Sequence, residues 1–162
     1  MTSCSRLAVT PQILLVHGGH PGGRTERLKL AVAAGIRAVD GAVTLMERPA
    51  LQCSAEELLA CQGLLLGTPE HFGYMSGALK DFFDRTYYPA EGKTQGLPYA
   101  LFVSAGTDGT GTVRAVERIA IGYGWRAIAP PLIVVGEPTE ALLQSAHDLG
   151  ATMAAGLTGG IF

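Results

Sequence analysis

Apolar runs alternate with amphipathic segments along the chain. Residues 12–18, QILLVHG, are almost wholly apolar, which is typical of a strand buried on both faces of a sheet. Residues 25–39, TERLKLAVAAGIRAV, instead place apolar side chains at helical spacing, so that one face is apolar and the other polar. The same alternation recurs to the end of the chain. It predicts five strands, each followed by a helix.

The predicted elements are bounded by residues that commonly begin and end helices. Ser54 and Glu57 form a capping box, Thr139 is expected to cap the last helix, and Gly124 to end the fourth. The predicted strands are residues 12–18, 42–48, 63–69, 97–106 and 127–136, and the predicted helices are residues 25–39, 54–62, 75–88, 112–124 and 139–157. Such βα alternation predicts a parallel sheet covered by helices on both faces. We expect one domain over residues 1–162, with a loose N-terminal segment at 1–11.

The amino-acid composition limits which binding partners and which cellular compartment are expected. Of 162 residues, 48% are hydrophobic and 16% charged, which favours a compact fold over disorder. The net charge of −2 and the scattered basic residues argue against binding to nucleic acid or to anionic membranes. No apolar run reaches the ~18 residues that a membrane span requires. Three cysteines, Cys4, Cys53 and Cys61, without C-x-x-C spacing, argue against a disulfide framework and favour the cytoplasm.

Three glycine-rich loops are the expected place for a ligand. They follow the first, third and fourth predicted strands, as HGGHPGGRT at 17–25, GTPEHFGYM at 67–75 and SAGTDGTG at 104–111. They also contain three of the four histidines. In open α/β sheets, ligands bind outside the carboxyl ends of the strands, where the strand order reverses. These loops therefore predict one shared site.

The first loop resembles a nucleotide-triphosphate loop in spacing only. Gly18, Gly23, Arg24 and Thr25 fit G-x-x-x-x-G-K-[ST], but Arg replaces the Lys, and no predicted strand ends in the Asp that helps to hold magnesium. A triphosphatase is therefore a disfavoured hypothesis, testable by magnesium-dependent ATP binding. The loop runs directly into a helix, whose N-terminus suits a phosphate group.

The remaining candidate residues of these loops are histidines and aromatic residues. His17 and His20 have a spacing that two metal ligands can share, but no carboxylate or thiolate is nearby, so no metal is predicted. Phe72 and Tyr74 flank a glycine, and their rings suit the flat face of a planar ligand. The alternative is that both rings fold back into the core.

Residues 67–85, GTPEHFGYMSGALKDFFDR, resemble a segment of the flavodoxin-like superfamily. The similarity is to its branch of FMN-dependent NAD(P)H:quinone oxidoreductases and NADPH-dependent FMN reductases, and it is supported by LPYALFVSAG at 97–106. It extends over about residues 12–157. The resemblance implies a three-layer α/β sandwich around a five-stranded parallel sheet of order 2-1-3-4-5. It also implies FMN as cofactor and NAD(P)H as co-substrate.

The resemblance assigns a part of FMN to each loop. The phosphate would lie in the first loop, the isoalloxazine against the second, and its pyrimidine side against the third. The residues so implied are His17, Gly18, Gly19, His20, Gly22, Arg24, Thr25, Thr68, Pro69, Glu70, His71, Phe72, Gly73, Ser104, Ala105, Gly106, Thr107 and Gly109. Phosphate loops of the family are usually rich in Ser and Thr, whereas this loop keeps only Thr25 as a hydroxyl donor.

The implied function is transfer of a hydride or electrons from NAD(P)H through FMN to a quinone or a similar small acceptor. His71 or Tyr74 would donate a proton to the acceptor, although for His71 the favoured alternative is a loop residue that bonds only backbone or water. One alternative is a flavodoxin-type electron carrier, but a net charge of −2 is weakly acidic for a protein that docks through charge. Another is a binding module that has lost FMN, which the hydroxyl-poor loop favours. The family often forms homodimers or homotetramers.

Overall fold

The computed structural model describes residues 9–41 and 43–162, which form a parallel sheet with helices on both faces. The strands are β1 (Gln12–His17), β2 (Thr44–Pro49), β3 (Gly63–His71), β4 (Tyr74–Met75), β5 (Pro98–Ala105), β6 (Arg126–Ala127) and β7 (Leu132–Val135). The helices are α1 (Arg24–Ala38), α2 (Ala55–Ala60), α3 (Gly77–Ala90), α4 (Thr110–Tyr123) and α5 (Glu140–Thr158), with a short 3₁₀ helix at Ala50–Gln52.

The strand order confirms the predicted topology. The main path is β2-β1-β3-β5, and both β6 and β7 pair with β5, all in parallel. In order of the predicted strands this is 2-1-3-4-5. The fifth predicted strand is divided, because Pro130 and Pro131 have no N–H to donate to the ladder between β6 and β7. The structure also adds β4, which pairs antiparallel with β3 and forms a tight hairpin.

The sheet is buried on both faces, as the apolar runs predict. In β1, Leu14 and Val16 pack toward α2, α3 and α4, whereas Ile13 and Leu15 pack toward α1 and α5. Side chains of a strand alternate between faces, so one apolar run supplies both halves of the core. This double cover leaves the edge of the sheet at the strand ends as the exposed place where loops converge.

Most of the predicted helix boundaries are confirmed. Ser54 and Glu57 make both hydrogen bonds of the capping box, and the Thr139 hydroxyl accepts from the N–H of Leu142. Gly124 ends α4 in the left-handed conformation, with φ of +77°. None of the described helices combines the length and apolar character needed to cross a membrane. The predicted loose segment 1–11 and Cys4 fall largely or wholly on residues 1–8, outside the described residues.

Candidate functional site

The three predicted loops meet at the carboxyl edge of the sheet. Their strands are adjacent, with His17 opposite Gly67 on β3, and Pro69 opposite Ser104 on β5. The rings of His20 and His71, from the first and second loops, have centroids 6.3 Å apart. The structure thus brings together the loop residues that the sequence singles out, and leaves their roles as predictions.

The first loop is a tight backbone turn that leads into α1. Gly18 donates to the carbonyl of Gly67 at 2.9 Å, and Gly23 donates to the carbonyl of His20 at 3.1 Å. A Cβ at Gly19 would lie 2.6 Å from the Cβ of Thr25, so the backbone approaches too closely for a larger residue. Gly22 has φ of +76°, a conformation that favours glycine. These glycines place the loop's N–H groups over the start of the helix.

An internal carboxylate already uses one of these N–H groups. Gly22 donates to the carboxylate of Glu26, which lies in the first turn of α1. The ammonium of Lys29 is 3.8 Å from the same carboxylate. The loop just before α1 therefore already binds an anionic oxygen, close to the positive end of the helix dipole.

The only hydroxyl of the first loop is bonded to a side chain of β5. Thr25 Oγ1 lies 2.6 Å from Ser104 Oγ, and the two residues are 3% and 4% exposed. This contact joins the first turn of α1 to β5. The sequence predicts both residues as cofactor ligands and gives no signal of their pairing, because they lie 79 positions apart.

Two other polar residues of the first loop differ in environment. His17 is half-buried, and its pKa is lowered by burial and by the nearby Lys29, with Glu47 and Glu26 opposing. Imidazole is therefore neutral at pH 7 and offers one N–H donor. Arg24 is also half-buried, and among residues 9–41 and 43–162 no carboxylate forms an ion pair with it. Its guanidinium is the one permanent charge in the turn.

Glu70 connects the second loop to the third. Its Oε1 accepts from Gly106 N at 3.2 Å, from Thr107 N at 2.9 Å and from Thr107 Oγ1 at 2.7 Å. Its Oε2 accepts from Gly109 N at 2.8 Å. These bonds, those from Thr107 foremost, lower the pKa of Glu70. The sequence predicts Glu70 beside the flavin ring, whereas its carboxylate holds the loop that precedes α4.

The tip of the β3–β4 hairpin presents aromatic groups to solvent. Phe72 is fully exposed and has φ of +54°, a costly conformation for a residue other than glycine. Tyr74 is 41% exposed, so neither ring folds fully back into the core. His71 is exposed beside His20. The predicted proton donors, His71 and Tyr74, are thus accessible to a small molecule.

Thr68 and Ser76 position the hairpin from below. Thr68 is fully buried, donates to the carbonyl of Pro69 at 2.9 Å and accepts from Ser76 N at 3.0 Å. The Ser76 hydroxyl in turn accepts from Leu79 N at 3.3 Å and caps α3. Thr68 therefore supports the site from inside the fold. Ser76, which the sequence analysis does not select, could have been found as an N-cap before a helical pattern.

Comparison of the sequence with known proteins identifies the family of this chain. The sequence model of the family described as "NADPH-dependent FMN reductase" matches residues 11–139. The chain belongs to this family. It is 27% identical, over 85% of its length and 80% of the relative's, to a protein of Syntrophobacter fumaroxidans (strain DSM 10017 / MPOB) named "NAD(P)H dehydrogenase (quinone)". A Geobacter metallireducens (strain ATCC 53774 / DSM 7210 / GS-15) protein of the same name is 26% identical, over 83% of this chain and 79% of that one.

Solved structures confirm the flavodoxin-like fold. A flavodoxin from the domain Archaea superposes with a TM-score of 0.77 at 21% identity, covering 88% of this chain and 96% of that one. Family membership confirms the predicted NAD(P)H-dependent oxidoreductase and the predicted cofactors, FMN with NAD(P)H as co-substrate.

The donor groups of this chain fit FMN. The N–H of Gly22 binds a carboxylate at the start of α1, which is the donor type that a phosphate needs. A Cβ built at Gly22, Gly73 or Gly106 would meet no atom within 4 Å, so the three loops face open space. Gly106, Thr107 and Gly109 donate their N–H groups to the carboxylate of Glu70, which braces the third loop. A first loop with anion-binding donors and open second and third loops suit a ligand with a phosphate at one end and a flat ring at the other.

Proposed function

We propose that this family member uses a quinone or a similar small planar molecule as its electron acceptor. The observation that carries the proposal is the exposed hairpin tip, where Phe72, His71 and Tyr74 stand together at the open edge of the three loops. An exposed aromatic ring held at a costly φ suits stacking on a flat acceptor. When bound, FMN supplies the hydride chemistry that links the nicotinamide to this acceptor.

The chain's own residues bind and orient the reactants. The N–H groups at the start of α1, together with Arg24 and neutral His17, hold the phosphate. The loop braced by Glu70 lies against the pyrimidine side of the ring. His71 or Tyr74 supplies a proton to the acceptor oxygen, since both are exposed at the tip. Thr25 donates to the phosphate while its hydroxyl accepts from Ser104.

The test begins with reconstitution of the purified protein with FMN, followed by a visible absorption spectrum. We then expect NADPH or NADH to be oxidised rapidly when a soluble benzoquinone is added. Phe72→Ala should raise KM for the benzoquinone with little change in FMN affinity, and Phe72→Tyr should restore it. Unchanged quinone kinetics in Phe72→Ala would contradict the role of the tip, even if the enzyme remains active.

One observation favours a second candidate function, a binding module that has lost FMN. The first loop has its only hydroxyl bonded to Ser104 and one of its N–H groups bonded to Glu26. A colourless protein that neither binds added FMN nor oxidises nicotinamides would support this alternative. A protein that binds FMN but does not oxidise NAD(P)H with any quinone would instead support the flavodoxin-type carrier. A homodimer or homotetramer remains a proposal, which light scattering tests.

A further inference from the structure

A groove runs between helices α3 and α4. It consists of two cavities, of about 340 Å³ and 430 Å³, that share the side chains of Lys80 and Ile119. Tyr74 lines the larger cavity and belongs to the hairpin that presents His71 and Phe72. One end of the groove therefore begins where the candidate flavin site ends.

This end of the groove is positively charged. Arg114 and Arg118 line the larger cavity, lie four residues apart on α4 and are both exposed. Within the described part of the chain neither arginine forms an ion pair. The third cation, Lys80, is bonded to Asp84 at 2.6 Å. Two guanidinium groups without ion-pair partners can bind a phosphate, and a neighbouring tyrosine ring can stack on a base, so this end of the groove suits a phosphorylated nucleoside.

The acidic residues nearby are already engaged or face elsewhere. Asp108 accepts from Thr110 N at 3.0 Å and from Thr110 Oγ1 at 2.9 Å, at the start of α4. Glu117 lines a different cavity together with Tyr99. Neither carboxylate forms an ion pair with the two arginines, and the charge of Arg114 acts on Asp108 only at longer range, as one of the causes that lower the pKa of Asp108.

We infer that the α3–α4 groove binds the adenosine half of NADPH and that Arg114 and Arg118 contact its 2′-phosphate. This inference rests on the proposed function and names the preferred nicotinamide. Arg114 and Arg118 lie four and eight residues from Thr110, the first residue of α4, or about 6 and 12 Å along the helix axis. The 2′-phosphate is at the opposite end of the dinucleotide from the reactive nicotinamide. NADH lacks this phosphate and gains nothing from the arginines.

A binding experiment tests the inference without catalysis. Calorimetry with 2′,5′-ADP and with 5′-AMP compares ligands with and without the 2′-phosphate. We expect wild-type protein to bind 2′,5′-ADP ~10-fold or more tightly than 5′-AMP, and Arg114→Gln/Arg118→Gln to lose that preference. Arg126→Gln is the matched control, because Arg126 is an exposed arginine at the far edge of the sheet, 5.9 Å from the ring of Phe162.

Steady-state kinetics supply the second measurement. In the double variant KM for NADPH should rise ~10-fold or more, with kcat and the KM for NADH unchanged. Equal losses with both nucleotides would overturn the inference, as would wild-type protein that does not bind 2′,5′-ADP. If the chain forms a dimer that closes the groove, its mass in solution will be twice that of one chain and 2′,5′-ADP will not bind. That result would also overturn the inference. Failure of the proposed function appears separately, as absent FMN binding or absent quinone reduction.

Discussion

Replacing Glu70 by Gln tests how the third loop is kept in shape for the flavin. The carboxylate accepts three bonds at Oε1 and one at Oε2, all from residues 106–109. An amide has one oxygen and one NH₂ group. In its better orientation the oxygen keeps the bonds from Gly106 and Thr107, and the NH₂ group then faces the N–H of Gly109. One bond is thus replaced by a donor–donor contact, and the others lose the help of the negative charge.

The expected size of the effect follows from these bonds. A hydrogen bond to a charged group contributes about 1.5–3 kcal/mol, and the partial exposure of Glu70 reduces this figure. If the ordered conformation of the loop is destabilised by about 1.5 kcal/mol, flavin binding should become roughly tenfold weaker. Since the loop faces the ring and not the phosphate, FMN and riboflavin should be weakened by the same factor. Glu137→Gln is the control, because Glu137 forms only an exposed pair with Arg27 at 2.9 Å.

Quenching of flavin fluorescence gives both dissociation constants for each variant. Weakening of FMN alone would refute the assignment of Glu70 to the loop that holds the ring, and wild-type affinities in Glu70→Gln would refute the brace itself. The pH dependence has a definite sign. Because its pKa is lowered in the fold, Glu70 stabilises the loop above the ordinary value of 4.5, and this contribution is lost as pH falls through the lowered pKa. Flavin affinity of Glu70→Gln should therefore not show the decrease at low pH that the wild-type protein shows.

Three further predictions concern other parts of the molecule. Glu26→Gln should bind FMN about fivefold to thirtyfold more tightly in the same quenching assay, and its affinity for riboflavin should not change. The reason is that unit charges ~4 Å apart in water repel by about 1 kcal/mol, and a phosphate carries one to two such charges. Gly150→Ala should lower the free energy of unfolding by about 1–3 kcal/mol, because the added Cβ would clash with a carbonyl oxygen of α1. Gly77→Ala is the control and should not destabilise the protein, because its Cβ would meet no atom within 4 Å. Urea denaturation compares the two variants. Burial raises the pKa of Cys53 and Cys61 to about 12, so iodoacetamide at pH 8 should leave both unlabelled in peptide maps until urea unfolds the protein.

The fold could be predicted from the sequence because each element carries a local signal. The apolar runs of β1, β3 and β5 are continuous, and the capping box at Ser54 and Glu57 fixes the start of α2. The β3–β4 hairpin was missed since a two-residue strand has no periodicity to detect. The division of the fifth strand was also missed, although Pro130 and Pro131 mark the break.

The convergence of the three loops could be predicted, but not the contacts among them. Glycine-rich loops after adjacent strands must meet at one edge, so the sequence is sufficient to bring them together. Pairing of side chains across loops depends on the distances that the fold creates. Thr25 with Ser104 and Glu70 with residues 106–109 are therefore visible only in three dimensions. Both pairs are contacts inside the protein, and the flavin contacts expected of the same residues stay predictions.

The two internal carboxylates have different consequences for flavin binding. In the proposed binding mode the phosphate takes the N–H of Gly22 that Glu26 now holds, so Glu26 must leave that position when FMN enters. Glu70 instead accepts from N–H groups of the third loop, which the proposal places beside the ring. It can keep these bonds when FMN binds, because they hold the loop in its conformation. One carboxylate therefore opposes the phosphate and the other supports the ring. Removing them one at a time should separate the affinity for the phosphate from the affinity for the isoalloxazine, with riboflavin responding to Glu70 alone.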